Sequence, residues 1–199
     1  MRRTLRRKES IMPIIVPEPS KKLSKLCAFL IVVGLLLAVF GYFGPFVKVA
    51  GGSFDSGYSL KTLKSANANF KEISGGKSLA GYGALNFFAQ ATFIFGIVTV
   101  AWFVLLCVLF IDNPELIYLV IGALTVLFTI LAFIMAFVVA GKYYDNFIPY
   151  LEEGQQAPTQ TMTIGYGPIF LLLGGLLFGG GTAGKAFATP KTVSLHQPG

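Results

Sequence analysis

Residues Phe87 to Gly141 read FFAQATFIFGIVTVAWFVLLCVLFI, then DNPE, then LIYLVIGALTVLFTILAFIMAFVVAG. Phe87–Ile111 and Leu116–Gly141 are apolar runs without a charged side chain. A helix needs about 20 residues to cross the roughly 30 Å hydrocarbon core of a bilayer, and each run exceeds that. The link Asp112-Asn113-Pro114-Glu115 is so short that the two helices must be antiparallel neighbours. Its residues suit the turn. Asp112 or Asn113 can cap the following helix, Pro114 fits the first helical turn, and Glu115 favours the positive helix end. At about 1.5 Å per residue both helices are longer than the bilayer is thick, so they tilt or project beyond it.

Two more apolar runs flank this hairpin. The expected spans are about 26–46, 84–111, 116–141 and 168–183, which predicts an all-α integral membrane fold: a four-transmembrane-helix antiparallel bundle. The bulk composition agrees. With 54% hydrophobic and 13% charged residues, the 199-residue chain has too little charge for the surface of an ordinary soluble domain. The net charge of +7 raises nucleic acid as a partner, but eight of the sixteen basic residues precede residue 26. That cluster reads as a topology signal in a basic tail, 1–25. Lys21, Lys22 and Lys25, at the membrane edge, are expected contacts for anionic lipid headgroups. Met12 is an alternative start, which would leave these three lysines to hold the topology. A cleaved signal peptide is disfavoured against an uncleaved anchor, because the run is long and Lys48 occupies the minus-three position before Ala50.

Counting basic residues by side gives ten against six, which puts both termini in the cytoplasm. The first outer loop, Val47 to Gly83, begins with the β-rich Phe46-Val47-Lys48-Val49 and then Gly51-Gly52, a strand and a turn. Ser59 is positioned to cap a helix carrying Leu60, Leu63, Phe70 and Ile73 on one face, ended by Gly75-Gly76. An interfacial amphipathic helix and an anchored loop both fit this pattern. The second outer loop, Lys142 to Thr163, closes with the alternating stretch Gln160 to Ile164. Phe46–Val49 is expected to pair with Thr161–Ile164 as a small extracellular β-sheet, because unpaired backbone just above hydrocarbon is costly.

Small residues mark the expected helix contacts: Ala132, Ala136 and Ala140 in the third span, and Gly175, Gly179 and Ala183 in the fourth. Gly180-Gly181 is a candidate early end for that fourth span, with a disordered tail over 185–199. Asn86, Gln90 and Thr92 are the candidate interhelical or pore-lining polar residues. Cys27 and Cys107 lie in apolar runs and read as small buried hydrophobes. The one histidine, His196, is in the C-terminal tail, and no Asp or Glu falls inside a span. No catalytic constellation, metal site or cofactor is therefore expected. Asp145 with Glu152 and Glu153 reads as solvated loop rather than a calcium site.

Four spans with inner termini, a long first outer loop, a short inner turn and a shorter second outer loop resemble the claudin-like tetraspan arrangement. The Gly165-Tyr166-Gly167-Pro168 entry into a glycine-rich last span is similar to small bacterial tetraspan membrane proteins. The resemblance implies topology over residues 26–184. The first loop has neither tryptophan nor cysteine, so adhesion and paracellular-pore functions are not implied. The resulting expectation is a non-enzymatic, multi-pass plasma-membrane protein with a structural or accessory role. It would act through self-association or another membrane protein. The alternative is a small channel or transport component.

Overall fold

The apolar runs form helices because nothing inside them breaks one. Proline is absent from Lys21–Phe43, Tyr82–Leu109 and Glu115–Lys142, and Pro168 falls in the first turn of the last helix, where no hydrogen bond is lost. The structure, a computed structural model, describes residues 21–50, 57–109, 115–151 and 161–188. Its elements are α1 (Lys21–Phe43), β1 (Pro45–Val49), β2 (Tyr58–Ser59), α2 (Leu60–Ile73), α3 (Tyr82–Leu109), α4 (Glu115–Lys142), β3 (Met162–Ile164) and α5 (Tyr166–Ala188). A 3₁₀ turn spans Ile148–Tyr150. Among the described residues, α1, α3, α4 and α5 are long and apolar enough to cross a membrane. They alternate in direction. Neighbours around the bundle run α1, α5, α4, α3, and aromatic contacts close α3 back onto α1.

Several boundaries differ from those expected. The first helix begins at Lys21 and stops at Phe43, because Pro45 cannot continue it and opens β1 instead. The last helix runs through Gly180 and Gly181 to Ala188, so Lys185 belongs to its final turn and not to a tail. Packing overrides the weak helix propensity of glycine here, since α1 and α4 flank α5 on two sides. The hairpin residues Asp112 to Pro114, the turn Gly51-Gly52, Glu152, Glu153 and both chain ends lie outside the described residues.

At one end of the bundle β1 lies between β2 and β3 in an antiparallel sheet. The expected pairing of β1 with β3 is present, with Val47 opposite Ile164, Lys48 opposite Thr163 and Val49 opposite Met162. Two backbone bonds extend the ladder, Ala50 N–H to Thr161 O at 2.8 Å and Gly165 N–H to Phe46 O at 2.9 Å. The short strand β2 was not anticipated. It leads into α2, whose Ser59 cap accepts the Thr62 backbone N–H at 3.3 Å.

One continuous apolar cluster joins this end to the bundle. Leu63 and Phe70 of α2, Phe46 and Val47 of β1, Ala132, Ala136 and Ala140 of α4, and Leu171 of α5 all belong to it. The C-terminal turns of α4 therefore support the sheet. On α2 the buried face is Leu60, Leu63, Asn67 and Phe70, while Ile73, expected on that face, is 57% exposed. The spacing explains the correction: the next position of that stripe is Ser74, which is buried.

Residues directly opposite in an antiparallel pair approach to within disulfide reach. A Lys48→Cys/Thr163→Cys variant with Cys27 and Cys107 replaced by alanine should form an internal disulfide under mild oxidation, detected after proteolysis between the two positions. Failure to crosslink there or at adjacent positions would contradict the sheet.

Candidate functional site

The helix α5 is where the small residues act. Half of it is buried, against 28% of α1 and α3 and 33% of α4. Its glycines form two faces. Toward α1, a methyl on Gly174 would lie 2.6 Å from Gly34 O and 2.7 Å from Ala38 Cα, and one on Gly41 would lie 2.7 Å from Gly167 O. Toward α4, a methyl on Gly179 would lie 2.8 Å from Gly122 O, and one on Gly122 would lie 2.7 Å from Ala183 N. Such contacts bring backbone against backbone, which in hydrocarbon is a main source of helix association. The expected stripe Gly175, Gly179 and Ala183 thus faces α4. The second face sets Gly174 and Gly181 of α5 against α1, where Gly34 and Gly41 in turn lie against α5; the spacing of Gly34 and Gly41 in the sequence does not by itself reveal it. Gly180 points to open space.

The threonines continue the connection. A methyl on Gly175 would strike the Thr129 side chain of α4, and the Thr129 hydroxyl donates to Thr92 Oγ1 of α3 at 3.3 Å. Three helices are therefore tied at one level. Thr92 also donates to Phe88 O, as Thr99, Thr125 and Thr182 donate to carbonyls one turn back. Thr92 is thus turned inward, away from the residues it was grouped with. Asn86 and Gln90 bond one another at 3.3 Å, and Gln90 is exposed. The three do not share a pore-facing surface. Trp102 packs against Tyr118 and Ala186, and its Nε1 is a buried side-chain atom without a hydrogen-bond partner among the described residues.

The sheet end carries a polar clamp that the sequence reading missed. Asn67 Oδ1 accepts the Leu79 N–H at 2.8 Å and Asn146 Oδ1 accepts the Ala80 N–H at 3.3 Å, fixing the α2–α3 connection. An asparagine in register with Leu60, Leu63 and Phe70 was the available signal. Beside it Phe70 packs edge-on to Phe147 at 5.1 Å and to Tyr150 at 5.7 Å. Burial pushes the Tyr143 phenol well above its ordinary range, and the adjacent Tyr58 adds to the shift, so this side chain stays neutral. Lys61, Lys64, Lys71 and Lys77 remain on the exposed side of this end.

At the opposite end Lys22 and Lys25 are exposed on the first turns of α1, where the helix dipole disfavours cations. Lys21 opens that helix. Lys185 Nζ donates to Ser24 Oγ at 3.1 Å across α1 and α5, beside a shallow hollow lined by Ala28, Ile31 and Val32. Ala132 and Ala136 are fully buried and Ala140 nearly so, all facing the interior. Among the described residues no three His, Cys, Asp or Glu side chains converge as a metal site would need. Cys27 is buried, its sulfur 2.9 Å from where a Gly184 methyl would stand. The chain matches no protein-family model, no curated protein and no solved structure.

Overpacking a tight contact costs about 1–3 kcal/mol, whereas alanine in place of an unobstructed helical glycine gains up to about 1 kcal/mol. Gly174→Ala should therefore lower the thermal midpoint of the purified protein in detergent, and Gly180→Ala should leave it unchanged or raise it. Equal effects from the two would contradict the helix contact.

Proposed function

We propose that the chain is a multi-pass plasma-membrane protein with a structural or accessory role, exerted by association with itself or with another membrane protein rather than by catalysis. The observation that carries this reading is the use made of polar groups within the four long helices. The buried threonines are engaged with backbone carbonyls or with each other, and the glycines with neighbouring helices. Packing within the bundle thus engages the buried threonines and the glycines. Exposed apolar side chains such as Phe29, Leu36, Ile94 and Phe137 suit a lipid surround.

Both termini lie on the cytoplasmic side in this proposal, supported by the basic residues ahead of α1. Lys22 and Lys25 sit against the helix dipole, so a gain from anionic headgroups is the better account of their position. Lys21 and Lys185 extend the same basic edge.

Two measurements test the proposal. In intact cells, Ser78→Cys should react with a membrane-impermeant maleimide and Lys22→Cys only after permeabilisation; the reverse pattern would overturn the orientation. Cross-linking in native membranes followed by mass spectrometry should recover the chain joined to copies of itself or to a defined membrane protein. Substrate turnover by the isolated protein would overturn the accessory role.

A further inference from the structure

Gln90 lies on a surface that otherwise suits lipid. Around it on α3, Phe87 is 58% exposed, Ile94 55% and Ile97 54%. Its depth follows from its neighbours. Thr92 meets Thr129, which lies about 20 Å along α4 from Lys142 at roughly 1.5 Å per residue. Gln90 is two residues nearer the sheet end. With Lys142 at the membrane edge, Gln90 is roughly halfway through a hydrocarbon layer of about 30 Å.

An amide at that depth needs partners. Gln90 Nε2 donates one hydrogen to Asn86 Oδ1 at 3.3 Å. Its second N–H and its Oε1 have no partner among the described residues. Lipid supplies neither donor nor acceptor, so an amide left this way is costly. The required partner must both accept and donate, and a second glutamine amide does both.

We propose that a second copy of the chain docks on this face, α3 against α3 about a two-fold axis along the membrane normal. This rests on the membrane reading above and names the partner it calls for. Two copies inserted in the same direction carry Gln90 at the same depth, and a two-fold axis sets identical residues opposite one another. Each Gln90 then donates its free N–H to Oε1 of the other. Gly83, Phe87, Gln90, Ile94, Ile97 and Ala101 alternate in steps of four and three along α3. That spacing keeps them on one seam for the full contact, with the amide as the polar position that sets register.

The test uses the full chain in vesicles of phosphatidylcholine and phosphatidylglycerol, with dimer fraction counted by single-molecule photobleaching against protein density. The wild type should dimerise, Gln90→Leu should weaken dimerisation about tenfold, and Gln90→Asn should retain most of it. In a background with Cys27→Ala and Cys107→Ala, Ile94→Cys should crosslink between copies and Leu36→Cys, exposed on α1, should not. Dimerisation of Gln90→Leu at wild-type strength would overturn the proposal, as would crosslinking through Leu36→Cys alone. Protein that resists carbonate extraction but stays monomeric at every density would overturn the docking and leave the membrane reading standing. Release by carbonate would overturn both.

Discussion

Backbone-to-backbone approach along α5 is the constraint on which the rest of the structure depends. Glycines on one face admit α1 and on the other admit α4, so that hydrogens of one helix meet carbonyl oxygens of the next. In a membrane, apolar side chains gain little from leaving lipid for one another, so dispersion at close contact and short polar bonds must supply the association. That explains why the most buried of the four long helices is also the richest in small residues. It also explains why a helix holding Gly179, Gly180 and Gly181 in succession stays helical: Gly179 lies against α4 and Gly181 against α1.

The other interfaces use different chemistry. The hairpin helices α3 and α4 meet through Phe88, Phe95 and Phe128 rings and the Thr92–Thr129 bond, and α3 closes onto α1 through Tyr42 stacked on Phe93 at 4.6 Å. Bulky seams hold helices farther apart than glycine seams, so α5 is drawn deep and α3 is left peripheral. Like α1, α3 keeps a wide free face, and that is where Gln90 lies. The sheet joins the ends of α1 and α5, so the first and last helices are tied both along their length and at one end.

Much of this was legible in the sequence. Uninterrupted apolar runs and the short turn identify four helices and the hairpin, because length and the absence of charge suffice for that. The β1–β3 pairing was legible from alternation and from the need to satisfy backbone groups at that point. What was not legible depends on which residues face each other. Gly34 and Gly41 carry no signal of a contact until their partners on α5 are known. Thr92 and Gln90 are two residues apart and looked like one surface, yet two residues is more than half a helical turn. Asn67 is hidden for the same reason: its partner, the Leu79 N–H, is an orphan only once the chain turns toward α3.

The central claim is that α1, α5 and α4 touch through their backbones. Magic-angle-spinning NMR on the protein in lipid bilayers, with carbon-13 glycine, measures this directly. The account predicts interhelical cross-peaks between Gly34 and Gly174 and between Gly122 and Gly179. Their absence, with only sequential glycine contacts observed, would contradict it.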